Sequence, residues 1–245
     1  MIERFLLLLD GKYITIHEKG ARIMEIIYSD RDISVVIKPA GMSSQSMPDG
    51  TGAPDVIGRE ENCTVYPVHR LDTATAGVMV YAKNKSAAAA LSRDIAGGAF
   101  EKEYVALVHG VPSPEKGEFC DLLFRDASKN KSYVVKRERK GVKKASLEYE
   151  TLCTRETDFG TVSAVRIRLQ TGRTHQIRVQ FASRKLMLVG DGKYGARDGA
   201  KNLALFCRRL SFPLPSTGER LTFEAVPPFE DFLADKNADG QKTEL

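Results

Sequence analysis

The chain has 245 residues, of which 42% are hydrophobic and 28% are charged, and this is enough for a substantial globular core. No apolar run approaches the roughly 18 residues of a membrane span, and residues 5–9 are too few for the apolar part of a signal peptide. The four cysteines lie far apart without a Cys-x-x-Cys pair, which argues against a zinc site or a disulfide framework. These features predict a reduced, cytoplasmic protein without a membrane partner.

The formal net charge of +5 is unevenly distributed along the chain. Residues 229–245 form an acidic tail, with five acidic residues against two lysines. Residues 131–144 carry seven lysines and arginines, Lys143 and Lys144 among them, against a single glutamate. Such a run is usually a solvated face, and the alternative is a basic hairpin or loop that lies against phosphates. The charge alone does not decide between these interpretations.

Turn signals divide the N-terminal third into short strands. Asp10-Gly11 and Asp30-Arg31-Asp32 each separate two apolar stretches, which predicts two hairpins with strands at residues 4–9, 13–17, 22–28 and 33–37. The segment Lys38-Pro39-Ala40-Gly41 is expected to end the last of these strands in a turn. Residues 1–21 are therefore expected to form an N-terminal strand extension.

Two helices are predicted in the rest of the chain. The clearest covers residues 86–95, where an alanine-rich stretch follows Ser86 as the capping residue and stops at Gly97-Gly98. A shorter helix is predicted at residues 174–184, with Thr174 able to cap its start.

Strands outnumber these helices. Further strands are predicted at residues 103–108, 132–136, 146–153 and 161–169, and the connections between them resemble hairpins. This pattern favours an α+β fold with a mostly antiparallel or mixed sheet over a doubly wound fold. No repeat and no linker divides the chain, so a single domain over residues 1–245 is predicted.

The segment from His69 to Gly77 is the first candidate for a functional site. It lies between two apolar runs, so its charged residues are expected where strands meet a loop. A surface ion pair between Arg70 and Asp72 is the simplest interpretation of the segment taken alone. The alternative is a pocket that holds an ionised carboxylate close to an anionic ligand, since buried charges need a compensating role.

A second cluster lies at Thr171-Gly172-Arg173-Thr174-His175-Gln176-Ile177-Arg178, where the predicted short helix begins. The first turn of a helix has unpaired N–H groups and the positive end of the helix dipole, so it favours an anion. Arg173, His175 and Arg178 add donors there, and the last two share one helix face. A single histidine is most often a structural hydrogen-bonding group, and this alternative stays open for His175. A pairing with Asp72 would keep that carboxylate ionised.

The segment Gly190-Asp191-Gly192-Lys193-Tyr194-Gly195 matches the G-x-G-x-x-G pattern of dinucleotide-binding turns. Such a turn is followed by a long amphipathic helix that closes a βαβ unit. Residues 196–201 are polar and interrupted by a glycine, and the chain has no Walker A sequence. A structural turn is therefore predicted here, and no nucleotide cofactor.

Taken together, His69-Arg70-Leu71-Asp72 and Gly172-Arg173-Thr174-His175-Gln176-Ile177-Arg178 resemble the signature pair of the RluA-type RNA pseudouridine synthases. Residues 35–41 resemble the first motif of that family, and residues 102–110 resemble the strand that carries its active-site tyrosine. Gly190-Asp191 with Tyr194-Gly195 resembles the end of its third motif. The resemblance runs in order through residues 22–228. It implies an α+β fold with a mixed, mostly antiparallel central sheet, flanking short helices and a catalytic cleft.

The resemblance also implies a reaction, the isomerisation of uridine to pseudouridine in ribosomal or transfer RNA. The N1–C1′ bond breaks, the uracil turns, and C5 bonds to C1′, which requires no metal and no cofactor. Asp72 matches the catalytic aspartate, either as a nucleophile at C1′ or as a group that assists departure of the uracil and removes a proton. Tyr104 matches the tyrosine that stacks on the target base, and Arg178 matches the arginine that pairs with the aspartate.

Contacts with RNA follow from the same resemblance. A stacked uridine reaches Asp72 only when it is flipped out of the helix. Arg70 matches the arginine that fills the gap left by the flipped base. The other residues expected to contact RNA are His69, Lys38, Arg173, His175, Lys143 and Lys144. No feature of the sequence requires more than a monomer, so a monomer is predicted.

The chain departs from the family pattern at positions that bear on the choice of RNA. Thr75-Ala76-Gly77 replaces the usual Thr-Ser-Gly, Gln180 replaces a usual histidine, and residues 184–187 replace a usual turn of glycine and proline. Residues 1–21 are too few for the S4 RNA-binding domain that many relatives carry, so target selection is expected to come from the catalytic domain.

Two alternatives to a synthase stay open. One is a non-catalytic RNA-binding or folding factor that retains the fold, and the more remote one is a nicotinamide-dependent enzyme. The presence of Asp72, Tyr104 and Arg178 together favours the enzyme over the binding factor.

Overall fold

The computed structural model describes residues 5–9, 12–16 and 24–234. The helices are α1 (Ala53–Glu60), α2 (Lys85–Gly97), α3 (Gln176–Ser183) and α4 (Glu230–Leu233). The strands, in chain order, are β1 (Phe5–Leu9), β2 (Lys12–Ile16), β3 (Glu25–Ser29), β4 (Ile33–Lys38), β5 (Tyr66–Pro67), β6 (Ala76–Ala82), β7 (Glu101–His109), β8 (Lys116–Asp126), β9 (Lys131–Val135), β10 (Val142–Thr157), β11 (Gly160–Leu169), β12 (Leu205–Pro213) and β13 (Arg220–Glu224).

Eleven of these strands form one sheet, and β1 and β2 form a separate antiparallel pair. The main order is β3-β4-β6-β12-β7-β11-β10-β8-β9, with β5 beside β6 and β13 beside β12. All neighbours are antiparallel except β6 and β12. The predicted α+β class, with its mixed and mostly antiparallel sheet, is confirmed.

The parallel pair at the centre of the sheet depends on a glycine. Gly77 has a φ of +128°, and a Cβ added there would lie 2.4 Å from the carbonyl oxygen of Cys207 on β12. A side chain at this position would therefore collide with the β12 backbone. Gly77 is paired with Cys207, and Cys207 is paired with Tyr104 on β7. The register thus places the loop before β6 close to Tyr104.

Strand β6 lies in the middle of the core. Its residues from Val78 to Ala82 are fully buried, which means that both faces of the strand are covered. This explains why the segment is a continuous apolar run rather than an alternating one. Burial of each such valine or methionine stabilises the fold by about 1.5–3 kcal/mol relative to exposure.

Both predicted N-terminal hairpins are present, since β1 pairs with β2 and β3 pairs with β4. The Asp10-Gly11 turn lies outside the described residues, as does the tail beyond residue 234. The described start of that acidic tail forms the short helix α4.

The cap predicted for the alanine-rich helix is wrong by two residues. Helix α2 begins at Lys85, and the side-chain oxygen of Asn84 accepts a hydrogen bond from the N–H of Ala87 at 2.8 Å. Asn84 has an extended backbone, which lets its side chain reach back to the first turn, whereas Ser86 already lies inside the helix. The predicted end is confirmed, because Gly98 takes the left-handed conformation with a φ of +78°.

The second predicted helix is shorter than expected and has a different start. Helix α3 begins at Gln176, and Thr174 does not cap it. Its N-cap is His175, which has a φ of +54° and makes no side-chain capping bond. This left-handed backbone turns the chain sharply from the preceding loop into the helix.

The glycine-rich segment at residues 190–195 is a structural turn, as predicted. Residues Gly192–Tyr194 form one turn of 3-10 helix, which Asp191 caps through its side chain. The chain then runs irregularly to β12, and no long helix follows.

Candidate active site

A cavity of about 490 Å³ opens between the loop that precedes β6, strand β7 and the start of α3. Three segments that are far apart in the sequence supply most of its lining: the loop from Val68 to Asp72, Lys102 and Tyr104 on β7, and the stretch from Leu169 to Arg178. Thr75, Ile95 and Ala96 at the end of α2, and Leu205 of β12 complete it. The structure therefore brings both sequence clusters and the predicted tyrosine to one site.

The loop that carries Asp72 is held by residues of an earlier loop. Ser44 Oγ donates to the carbonyl of Leu71 at 2.6 Å and accepts from the N–H of Leu71 at 3.1 Å. The N–H of Gly41 donates to the carbonyl of Thr73 at 2.7 Å. These bonds fix the backbone on both sides of Asp72, whose side chain is 15% exposed.

Lys38, predicted to contact phosphate, is in a different place. It is fully buried, and its Nζ donates to the carbonyls of Pro39, Met42 and Thr73 at 2.8, 2.9 and 3.5 Å. Burial lowers its pKa to about 8, although the charge of Asp72 acts in the opposite direction. Lys38 thus ties the two loops together beneath Asp72, and its ammonium does not face the surface in this structure. The prediction of a phosphate contact is corrected accordingly.

Arg178 is held next to Asp72 by a second carboxylate, Asp191, to which the sequence motifs assign no role. Its Nη1 lies 3.4 Å from Asp72 Oδ2, as predicted, but its Nε and Nη2 both lie 2.7 Å from the carboxylate of Asp191. Burial opposes the charge on Arg178, and the hydrogen bonds and charge of Asp191 outweigh it, so the net effect is a raised pKa. Two parallel bonds in a buried setting fix the guanidinium plane.

His175 and Tyr194 complete this side of the cavity. His175 Nδ1 lies 3.0 Å from the hydroxyl of Tyr194, and its Nε2 lies 3.8 Å from Asp72 Oδ2. Burial lowers the pKa of His175, with Asp72 acting against that effect. The ring of Tyr194 also faces Arg178, whose Cζ is 5.2 Å from its centroid. His175 is therefore a buried hydrogen-bonding group next to Asp72.

Tyr104 projects from β7 into the cavity wall and is 5% exposed. Burial raises the pKa of its hydroxyl well above the usual value, and the neighbouring Cys207 and Asp72 add to this effect. The phenol is therefore protonated at neutral pH, and its hydroxyl is hydrogen-bonded to Cys207.

Gln176 anchors the loop that closes the cavity. Its side-chain oxygen accepts from Thr171 Oγ1 at 2.8 Å and from the N–H of Arg173 at 3.0 Å, while its Nε2 donates to the carbonyl of Ser146 at 3.0 Å. Arg173 is exposed, and its Nε donates to the carbonyl of Lys144 at 3.0 Å. The loop is thus fastened to the start of β10.

His69 forms part of the cavity wall rather than a surface contact. Its Nε2 accepts a hydrogen bond from the N–H of Val80 at 3.1 Å, and burial lowers its pKa well below the usual value. The neutral ring therefore carries its hydrogen on Nδ1, which is buried without a partner among the described residues. Its ring packs against Phe100 with centroids 5.2 Å apart.

The remaining predicted RNA contacts are exposed. Arg70 lies at the cavity rim, and Lys143 and Lys144 lie at the start of β10. The basic segment 131–144 therefore comprises β9, a turn and the first residues of β10, next to the loop of Arg173. Arg70 and Arg173 line the cavity on the solvent side, and the two lysines lie next to Arg173 outside the cavity lining.

Among the described residues, no group of three or more His, Cys, Asp or Glu side chains could hold a metal ion. Within the same part of the chain, no helix is both long and apolar enough to cross a membrane.

Comparisons with known proteins identify relatives of this chain. Residues 32–183 match the model of the RNA pseudouridylate synthase family. The "Uncharacterized RNA pseudouridine synthase YlyB" of Bacillus subtilis (strain 168) is 34% identical over 217 residues, which cover 84% of this chain and 69% of that protein. The "tRNA pseudouridine synthase C" of Haemophilus ducreyi is 30% identical over 227 residues, covering 83% of this chain and 90% of the relative.

The fold has a counterpart among solved structures. "Human RNA Pseudouridylate Synthase Domain Containing 1" superposes with a TM-score of 0.74 at 22% identity, covering 88% of this chain and 89% of the human one. This likeness confirms the predicted pseudouridine synthase fold. With the family match and the identity to the bacterial relatives, it follows that the chain belongs to the RNA pseudouridylate synthase family.

Proposed function

We propose that this protein converts specific uridines of a ribosomal or transfer RNA to pseudouridine, with Asp72 as the catalytic carboxylate. The observation that carries the proposal is the meeting of Asp72, Tyr104 and Arg178 in one cavity, although they come from three separate segments. A surface ion pair at Arg70 and Asp72 does not account for this convergence.

Asp72 is suited to act at the C1′ of a bound uridine. One of its oxygens, Oδ2, faces Arg178 and His175, while Oδ1 has no partner among the described residues. A carboxylate held on one side and free on the other is pre-organised to attack C1′ or to assist departure of the uracil. Both routes end with C5 bonded to C1′ and the C5 proton released.

Tyr104 and Arg70 would handle the flipped nucleotide. A tyrosine ring in the cavity wall offers a face on which the uracil stacks, and its protonated hydroxyl is a donor near Asp72. Arg70 at the rim is exposed and long enough to occupy the gap left in the RNA stack.

The proposal also covers the class of RNA, the cellular compartment and the oligomeric state. A relative named for tRNA and the basic segment 131–144, whose Lys and Arg side chains are exposed from residue 136 onward, both support a structured cellular RNA as substrate. We expect the chain to act in the cytoplasm as a monomer and as one catalytic domain. The cysteines in the described part of the chain are all free thiols, which fits a reducing compartment.

Release of tritium tests the proposal, because the C5 hydrogen of uridine is lost to water when pseudouridine forms. Cellular RNA labelled with tritium at uridine C5 should release label with the wild-type protein and none with Asp72→Ala. Asp158→Ala, which removes an exposed carboxylate in the β10–β11 turn, is the matched control and should retain full release.

Binding of RNA without any release by the wild type would instead support the non-catalytic RNA-binding factor. A melting temperature raised by a nicotinamide cofactor would support the third alternative.

A further inference from the structure

Lys102 occupies a corner of the cavity that the catalytic residues do not use. It lies two residues before Tyr104 on β7, so both side chains project from the same face of the strand. Its Nζ lies 5.6 Å from the centroid of Phe100, and a Cβ added at Gly172 would lie 3.7 Å from it. The ammonium is therefore held between the Phe100 ring and the loop of Gly172, at the cavity wall.

The charge of Lys102 has no counterion among the described residues. Burial lowers its pKa, which shows that the ammonium is poorly solvated where it lies. Glu103 projects from the other face of β7 and pairs with Arg168 at 3.1 Å. Cys207 is the nearest acidic group, but burial raises the pKa of this thiol to about 12, so it is neutral.

No other buried basic group among the described residues of the cavity is an unpaired cation. His69 is neutral, because burial lowers its pKa well below the usual value and Lys102 adds to the effect. Arg178 is engaged by Asp191 and Asp72, while Arg70 and Arg173 are exposed at the rim, where solvent screens their charge. A partly buried, unpaired ammonium facing a cavity is an anion site that awaits its ligand.

We propose that Lys102 binds one phosphate of the RNA backbone at the flipped nucleotide. This proposal rests on the proposed function, because it takes RNA as the ligand of the cavity. A phosphate carries a permanent negative charge, and lysine binds it as a point charge without needing a second donor. Tyr104 would then hold the base while Lys102 holds the backbone next to it.

Small ligands test this subsite without catalysis. Uridine, uridine 3′-monophosphate and uridine 5′-monophosphate are titrated into the protein and followed by NMR. The wild type should bind one of the nucleotides about tenfold more tightly than uridine, as a bond to a charged group implies. Lys102→Met should abolish this preference, and Lys102→Arg should retain it. Lys85→Met, at the opposite end of α2 from the cavity, is the control with the same loss of charge.

Stability and salt dependence provide a second measurement. Because an unpaired ammonium is costly to bury, Lys102→Met should not lower the melting temperature of the free protein. In an Asp72→Asn background, it should lower the slope of log K against log salt for single-stranded uridine-containing RNA by about 0.7.

Equal nucleotide preference in Lys102→Met and the wild type would overturn the proposal. The proposal would also be overturned if Lys102→Met left the salt slope unchanged and reduced kcat. That result would indicate that Lys102 contacts the uracil and not a phosphate. The wild type could release no tritium and still prefer a nucleotide to uridine in a manner that depends on Lys102. That combination would contradict the enzymatic function alone and leave the phosphate site intact.

Discussion

At the level of single residues, the site is organised around Arg178, which connects two carboxylates of different character. Asp191 is almost completely buried and takes two short bonds from the guanidinium, whereas Asp72 lies 3.4 Å away and is partly open to the cavity. Asp191 therefore fixes the position of the Arg178 guanidinium, and Asp72 is left available for chemistry. This division explains how an ion pair can be both rigid and reactive.

Asp191→Asn should destabilise the fold, because it leaves a buried guanidinium with weaker compensation. We expect a loss of about 3–5 kcal/mol in the free energy of unfolding, measured by urea denaturation, together with a large loss of tritium release. The control is Glu101→Gln, which breaks the exposed pair with Arg220 and should change stability by about 1 kcal/mol or less. Similar effects of the two substitutions would contradict the structural role assigned to Asp191.

The neutral His69 gives the fold a dependence on pH. Since burial lowers the folded-state pKa of His69 below the usual 6.5, the unfolded chain binds the proton more strongly than the folded protein. The stabilisation is complete above about pH 6.5 and is lost as the pH falls, by up to about 1.4 kcal/mol per pH unit. Denaturation in urea at several pH values between about 7 and 5 measures this slope.

His69→Gln should flatten this slope, because glutamine can accept the hydrogen bond of Val80 without taking up a proton. His175 would still contribute, since burial lowers its pKa as well. A variant with the same slope as the wild type would show that His69 does not titrate on unfolding.

At the level of secondary-structure elements, the start of α2 offers a direct test of a cap. Asn84→Ala removes the bond to Ala87 and the bond that Asn84 donates to Asp32, and should cost about 1–2 kcal/mol in thermal or urea unfolding. Ser86→Ala is the matched control and should be nearly neutral, because Ser86 lies exposed inside the first turn. A larger loss of stability in Ser86→Ala than in Asn84→Ala would show that Ser86 is the cap.

Elements with strong local signals could be predicted from the sequence. The β3–β4 hairpin follows from Asp30-Arg31-Asp32, and the end of α2 follows from its terminal glycine. Helix α1 was missed because it is short and contains Gly58, which lowers helix propensity, although Pro54 in its first turn is compatible with a helix start. It is stabilised by packing, since Ala53, Val56 and Ile57 are buried.

The pairing of the strands could not be predicted from the sequence and became known only from the structure. Strands β8, β12 and β13 were not predicted, and the parallel contact of β6 with β12 joins residues about 130 positions apart, a distance over which local propensity carries no information. The same holds within the site. Asp72 and Arg178 were predicted as a pair from motifs, but their supports, Ser44 and Asp191, act through contacts that no spacing rule reveals.

At the level of the whole molecule, the basic segment 131–144 contacts the loop that lines the cavity. Ser132 of β9 donates its N–H to the hydroxyl of Tyr194 at 2.9 Å and its Oγ to the carbonyl of Thr174 at 2.6 Å. Lys131 Nζ donates to the carbonyl of Lys193 at 2.6 Å. The basic segment is thus joined directly to the residues around His175, so RNA bound there lies next to the catalytic loop.

This arrangement predicts how RNA binding depends on salt. The double substitution Lys143→Gln and Lys144→Gln removes two exposed cations beside the Arg173 loop. If each contacts one phosphate, the slope of log K against log salt should fall by about 1.4–1.8 in filter binding with a structured RNA. Turnover at saturating RNA should be unchanged, because neither lysine reaches Asp72, so the loss should appear in KM and not in kcat.

The matched control is the double substitution Arg31→Gln and Lys85→Gln, which removes the same charge from the β3–β4 turn and the far end of α2. The control changes the net charge by the same amount as the double substitution at Lys143 and Lys144. Its slope of log K against log salt should nevertheless equal that of the wild type. Equal slopes for both double variants would mean that RNA responds to the overall charge of the molecule rather than to the basic segment. A reduced slope confined to Lys143 and Lys144 would instead place the RNA backbone along β10, in line with the cavity that contains Asp72.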